Sequence, residues 1–130
     1  MKNILIADDH PIVRRGIKQI LSDLPDPVTL LEASNGYDVL NIIRNININL
    51  LILDISMPGL NGIDILKQLR IEGQALPVLI ISIHKEDIYA LRLLRAGANG
   101  YLTKNCDPEK ILFAVNKMLS SGKYISPSLA

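Results

Sequence analysis

The residues best suited to chemistry are polar groups that close short apolar runs. Leu50-Leu51-Ile52-Leu53 runs directly into Asp54, and a Pro58-Gly59 turn follows. Ile4 to Ala7 runs in the same way into Asp8 and Asp9. Val78-Leu79-Ile80-Ile81 ends at Ser82, and Gly100-Tyr101-Leu102-Thr103 ends at Lys104. Three carboxylates brought together repel, and each pKa rises unless a cation compensates. A hard divalent ion such as Mg2+ meets that need: it takes oxygen ligands octahedrally and keeps several waters plus a phosphate oxygen. Two carboxylates, a backbone carbonyl after the strand and substrate oxygens would complete such a shell. Lys104 adds a fixed positive charge and Ser82 a hydroxyl. This set suits phosphoryl transfer, which asks a protein chiefly for positioning and charge neutralisation. Asp54 is then the candidate nucleophile, since a carboxylate can form an aspartyl phosphate.

These residues act together only if the chain delivers them to one place. Short apolar runs bounded by turn signals read as strands buried on both faces, as in parallel sheets. The spacing predicts strands over Ile4 to Ala7, Val28 to Ala33, Leu50 to Asp54, Val78 to Ile81 and Gly100 to Thr103. The second is the most polar and belongs near an edge. Helical periodicity fills the gaps: Pro11 to Leu24, Tyr37 to Arg44, Ile63 to about Gly73, Glu86 to Ala96, and a last helix opened by Asp107 as N-cap and Pro108. Gly97 is the expected stop of the fourth helix. The result is an α/β chain, a doubly wound (βα)5 flavodoxin-like sandwich with a parallel sheet in the order 2-1-3-4-5. In that order the first and third strands are neighbours, and their carboxyl ends carry Asp8, Asp9 and Asp54.

Each residue also has a plainer reading. Asp8-Asp9 before a helix could be capping residues, Lys104 a solvated surface group, Ser82 a turn residue, Tyr101 a half-buried aromatic and Asp54 a strand-end cap. Their joint arrival at one edge of one sheet favours a site. Composition limits the alternatives. With 130 residues the chain is one domain, and its 48% apolar content with only 4% aromatic gives an aliphatic core. A net charge of +1 points to neither nucleic acid nor an anionic membrane. A single cysteine, Cys106, excludes an internal disulfide framework and fits a reducing compartment. Neither a signal peptide nor a membrane span is present, so a cytoplasmic location is expected.

Asp8-Asp9-His10, Leu53-Asp54-Ile55-Ser56-Met57-Pro58-Gly59-Leu60-Asn61-Gly62, Ile81-Ser82 and Gly97-Ala98-Asn99-Gly100-Tyr101-Leu102-Thr103-Lys104 together resemble bacterial response-regulator receiver domains. The resemblance covers residues 2 to 120. It implies that Asp54 accepts a phosphoryl group from a sensor histidine kinase. It also implies Mg2+ held by Asp9, Asp54 and the Ser56 backbone carbonyl, with Asp8 assisting directly or through a water. Lys104 would pair with the phosphoryl oxygens. Ser82 would bond the phosphoryl group after transfer and Tyr101 would swing inward as Ser82 moves, so these two form the switch. Such a domain is a phosphoacceptor that catalyses only its own phosphorylation and dephosphorylation.

His10-Pro11-Ile12-Val13-Arg14-Arg15-Gly16, the Leu91 to Gly97 segment and Lys123-Tyr124-Ile125-Ser126-Pro127 resemble the LuxR/NarL/FixJ class. In that class a receiver, here residues 1–119, leads through a linker, here 120–130, to a C-terminal helix-turn-helix domain that regulates transcription. That domain lies outside these residues, and DNA would be reached only through it. Homodimerisation on phosphorylation stays open. The alternative is a stand-alone receiver acting as a phosphorelay intermediate or protein-binding switch. Two rivals fit less well: an aspartyl phosphatase needs an acid where Ser56 stands, and a flavodoxin needs a phosphate-cradling loop where Asp8 and Asp9 stand. Asn105 follows Lys104 where many receivers have proline, which leaves the isomer of that peptide bond open. His84 is placed near the site entry, His10 is expected to shape the start of the first helix, and Cys106 is incidental.

Overall fold

The computed structural model describes residues 1–82 and 88–124, with 88 and 89 described as helix backbone only. His84, the first residues of the expected fourth helix and the stretch after Tyr124 lie outside the described residues. Strands and helices alternate: β1 Lys2–Ala7, α1 Pro11–Leu21, β2 Val28–Ala33, α2 Gly36–Asn45, β3 Leu50–Asp54, α3 Gly62–Ile71, β4 Val78–Ser82, α4 Ile88–Arg95, β5 Gly100–Thr103 and α5 Pro108–Ser121. All strand pairs are parallel, in the order β2-β1-β3-β4-β5. This is the doubly wound order expected from the run of elements, and β2, the most polar strand, lies at an edge.

Period-two alternation divides the core. Leu5, Leu51, Leu53, Val78 and Ile80 point to the layer packed by Val39 and Ile43 of α2, Ile65, Leu66 and Leu69 of α3, and Leu93 of α4. Ile4, Ile6, Leu50, Ile52, Leu79 and Ile81 point to the other face, against Ile17 and Leu21 of α1 and Ile111, Val115 and Met118 of α5. β3 and β4 are buried at every position, which is why their sequences are unbroken apolar runs. Each fully buried Leu or Ile contributes about 1.5–3 kcal/mol relative to exposure, so these two layers fix the sheet and with it the strand ends.

Helix ends follow local chemistry. Asn35 Oδ1 accepts the Asp38 N–H at 2.9 Å and Asn61 Oδ1 accepts the Asp64 N–H at 3.0 Å, capping α2 and α3. Gly97, at φ +115°, follows α4, as expected of a helix stop. Asp107 and Pro108 open α5 at the positions expected from the sequence. Asp107 occupies the N-cap of α5, but its side chain caps nothing, and its backbone carbonyl accepts the first helical bonds. The Ser- and Gly-rich composition after Leu119 does not mark the helix end: α5 continues through Ser121 and closes at Gly122, φ +82°. Tyr124 then pairs with Gly100, donates its N–H to Asn99 O at 2.9 Å, and is buried. The Lys104–Asn105 peptide bond is trans, as are all those described.

Candidate functional site

Asp8 directly follows β1. Its N–H donates to Ala33 O at 3.1 Å, and its carbonyl accepts from Arg14 of α1. With the backbone held from both sides, the buried carboxylate has a fixed direction. Its Oδ1 accepts the His10 N–H at 2.8 Å, and its Oδ2 lies 3.0 Å from Lys104 Nζ. Asp54 ends β3, 2% exposed; its Oδ1 accepts the Ser56 N–H at 3.2 Å and its Oδ2 lies 3.2 Å from the same Lys104 Nζ. Lys104 follows β5, where its N–H donates to Ser82 O at 2.7 Å. Burial works against the Lys104 charge, but the hydrogen bond to Asp8 and the charges of Asp54 and Asp8 outweigh it and hold its pKa above the usual lysine value.

The loop from Ile55 to Asn61 is tied back to its own start. Gly62 N–H donates to Ile55 O at 3.1 Å, and a Cβ on Gly62 would stand 2.6 Å from Ile55 Cα. Only glycine permits that approach, and it keeps Ser56 beside Asp54. Ser82 is buried at the end of β4, in register with Thr103. Tyr101 is 1% exposed and belongs to the layer of α2, α3 and α4, so the structure holds it inward rather than half-buried at the edge.

The strand ends thus bring together Asp8, Asp9, Asp54 and Lys104, with Ser82 at the end of the strand between β3 and β5. The structure adds His10. Its Nδ1 lies 2.9 Å from Asp8 Oδ1 and 3.1 Å from Asp9 Oδ1, so it enters the acidic cluster as well as shaping the helix start. Arg14 is a second addition, tying α1 to Asp8 and, at 3.0 Å, to Glu32. The His10 contact depends on the extended N-cap backbone, φ −99° and ψ 110°, which residue type alone does not reveal.

The cluster fits a hard divalent cation. Ligand atoms of Asp8, Asp9, His10 and Asp54 all lie within 4.8 Å of one another. Asp9 Oδ1 and Asp54 Oδ2 are buried atoms without an aligned hydrogen bond, although His10 and Lys104 stand close to them. Buried carboxylate oxygens left in this way favour a hard cation that takes oxygen ligands. Among the described residues, no helix is long and apolar enough to cross a membrane.

Comparison with known proteins agrees with this geometry. Residues 4–116 match the family model described as response regulator receiver domain. The chain is 36% identical over 128 residues to the nitrate/nitrite response regulator protein NarL of Escherichia coli K12, covering 97% of this chain and 58% of that protein. It therefore spans only about three-fifths of the curated relatives it matches, 61% in the case of the response regulator GacA of Pseudomonas aeruginosa. A LuxR-family two-component response regulator from Aurantimonas sp. SI85-9A1 superimposes with a TM-score of 0.88 at 30% identity, over 98% of this chain and 91% of that one. The isolated receiver domain of RcsB from Salmonella enterica serovar Typhimurium, solved with phosphomimetic BeF3−, gives a TM-score of 0.88 at 25% identity, over 98% and 95% of the two chains. The chain belongs to the response regulator receiver domain family of two-component signalling, with relatives among the NarL/LuxR-type regulators, and is not a classical enzyme.

Proposed function

We propose that Asp54 is the phosphoacceptor of a two-component system and that a sensor histidine kinase is its donor. The observation that carries this reading is the pairing of a buried strand-end carboxylate with Lys104, 3.2 Å from its Oδ2, at the edge where Asp8 and Asp9 gather. A carboxylate oxygen of Asp54 attacks the phosphorus of a phosphohistidine. The new P–O bond forms as the P–N bond breaks, and the electron pair returns to the imidazole nitrogen of the kinase, which takes a proton. Asp9, Asp54 and the Ser56 carbonyl would hold Mg2+, with Asp8 in support. Bound there, the ion supplies neutralising charge to the phosphoryl oxygens.

Lys104 is already turned toward the acceptor carboxylate and keeps its proton, so its charge is fixed before phosphate arrives. Ser82, one strand away, donates its hydroxyl to the phosphoryl group, and Tyr101 with it forms the switch. The BeF3− complex of the RcsB receiver supports the reading, because a domain of the same fold was solved with a phosphoryl mimic. Among the LuxR-type relatives, the fitting output is transcription control through a DNA-binding domain joined after this receiver, in the cytoplasm. Intact mass after incubation with acetyl phosphate and Mg2+ tests the acceptor. One phosphoryl group is expected on the parent chain and none on Asp54→Asn. Equal labelling of both proteins overturns the assignment.

A further inference from the structure

His10 is the member of the acidic rim to which phosphoacceptor chemistry assigns no task. Its Nδ1 lies 2.9 Å from Asp8 Oδ1 and 3.1 Å from Asp9 Oδ1. Neighbouring donors in an octahedral shell with bonds of about 2.0–2.1 Å stand about 3 Å apart. The imidazole nitrogen therefore already has the spacing of a ligand toward both carboxylates. Asp54, 2% exposed, brings an oxygen within 4.8 Å of these donors and keeps Oδ2 without an aligned hydrogen bond. His10 is anchored by its backbone, which is the N-cap of α1 and donates to Asp8 Oδ1 at 2.8 Å. Its side chain, 59% exposed, has room to turn toward the site or away from it.

We propose that His10 is a metal-selecting residue: its Nδ1 joins the carboxylates as a nitrogen ligand for borderline divalent ions such as Co2+, Ni2+ and Zn2+, and stands aside for Mg2+. A borderline ion takes the Nδ1 lone pair alongside the carboxylate oxygens of Asp8 and Asp9. Mg2+ asks for oxygen ligands and gains nothing from the imidazole, whereas affinity for nitrogen rises along the first transition row. The inference rests on reading the rim as a divalent-cation site.

Calorimetric titration with Co2+ and, separately, Mg2+ tests it, using the full chain in a His84→Gln background so that one imidazole remains. Paramagnetically shifted imidazole protons in the Co2+ complex provide a second readout. Relative to that background, His10→Ala should weaken Co2+ binding by about 10–100-fold, abolish the shifted imidazole signals and leave Mg2+ affinity unchanged. Asp9→Ala should weaken both ions. Unchanged Co2+ affinity in His10→Ala with Mg2+ binding intact overturns the inference and leaves the cation site standing. Equal weakening for both ions also overturns it, since that pattern is loss of site shape. Binding of Co2+ but not Mg2+, dependent on His10, supports the inference and removes the Mg2+ reading. If neither ion binds, both fall.

Discussion

At the amino ends of β4 and β5, the half-buried guanidinium of Arg70 donates to Gln74 O at 2.7 Å, Leu76 O at 2.9 Å, Gly97 O at 2.6 and 3.2 Å, and Asn99 Oδ1 at 3.0 Å. Asn99 Oδ1 also accepts the Val78 N–H at 2.9 Å, so the α3–β4 and α4–β5 connections are sewn together around one cation. At the carboxyl ends of the same sheet, Lys104 faces two buried carboxylates, and two carboxylate oxygens lack an aligned hydrogen bond. Both ends bury charge. Only the first satisfies it, using backbone carbonyls fixed by the fold. The second leaves coordination capacity open to a cation and a phosphoryl group. The difference separates a group kept for stability from a group kept for chemistry.

Substitutions at the two ends should therefore behave differently. Arg70→Ala removes a charged donor from several semi-buried acceptors and should cost about 3 kcal/mol, read as a lower denaturation midpoint. Arg70→Lys should recover little, because an ammonium cannot reproduce the planar fork. Gly97→Ala attacks the same node. Its φ is +115° and a Cβ would meet Arg70 Nε at 2.9 Å, so a loss of about 2 kcal/mol is expected by the same measurement.

At the acidic rim the costs should be smaller and conditional. Lys104→Ala leaves Asp8 and Asp54 facing each other without their cation and should cost about 1–2 kcal/mol in chelator. Added Mg2+ should return part of that loss, since it supplies the missing charge; a midpoint indifferent to Mg2+ would count against a shared cation role. Asp54→Asn relieves repulsion and should leave stability within about 1 kcal/mol of the parent, on the more stable side. A large destabilisation would mean that Asp54 is structural.

The smallest effect belongs to the surface. Arg44, through its hydrogen bond, and then Gln68 hold the Glu72 carboxyl down to about 2. A carboxylate depressed in the folded state stabilises above its ordinary pKa of 4.5 and loses that contribution as pH falls toward about 2. NMR titration of Glu72 should show the low value, and Arg44→Ala should return it toward 4.5. An unchanged titration would remove Arg44 as the cause.

Much of the carboxyl end was readable from the chain. Unbroken apolar runs marked β3 and β4 because both faces of a central strand are covered, and Asp8, Asp9, Asp54, Ser82 and Lys104 each closed or followed a strand. The amino end was not. Arg70 in the last turn of α3 looks like a solvated cation, and its partners are backbone carbonyls 4 to 27 residues away together with the side-chain oxygen of Asn99, 29 residues away. Such contacts carry no residue signature. His10 escaped for a different reason, since its approach to Asp8 and Asp9 follows from the cap conformation and a side-chain rotamer. Tyr124 fell within the linker expected from the Ser, Gly and Pro content of residues 120–130, while its burial goes with its pairing to the distant Gly100. Asp107 stands at the N-cap as expected, although its side chain makes no capping bond.

The most direct test is thermal unfolding of the parent, Arg70→Ala and Asp9→Ala, each with and without Mg2+. Arg70→Ala should melt well below the parent yet gain the same increment from Mg2+. Asp9→Ala should melt near the parent and gain little from the ion. The reverse pattern, with Mg2+ stabilising Asp9→Ala fully or Arg70→Ala leaving the melting temperature untouched, would contradict the division between a stabilising end and a chemical one.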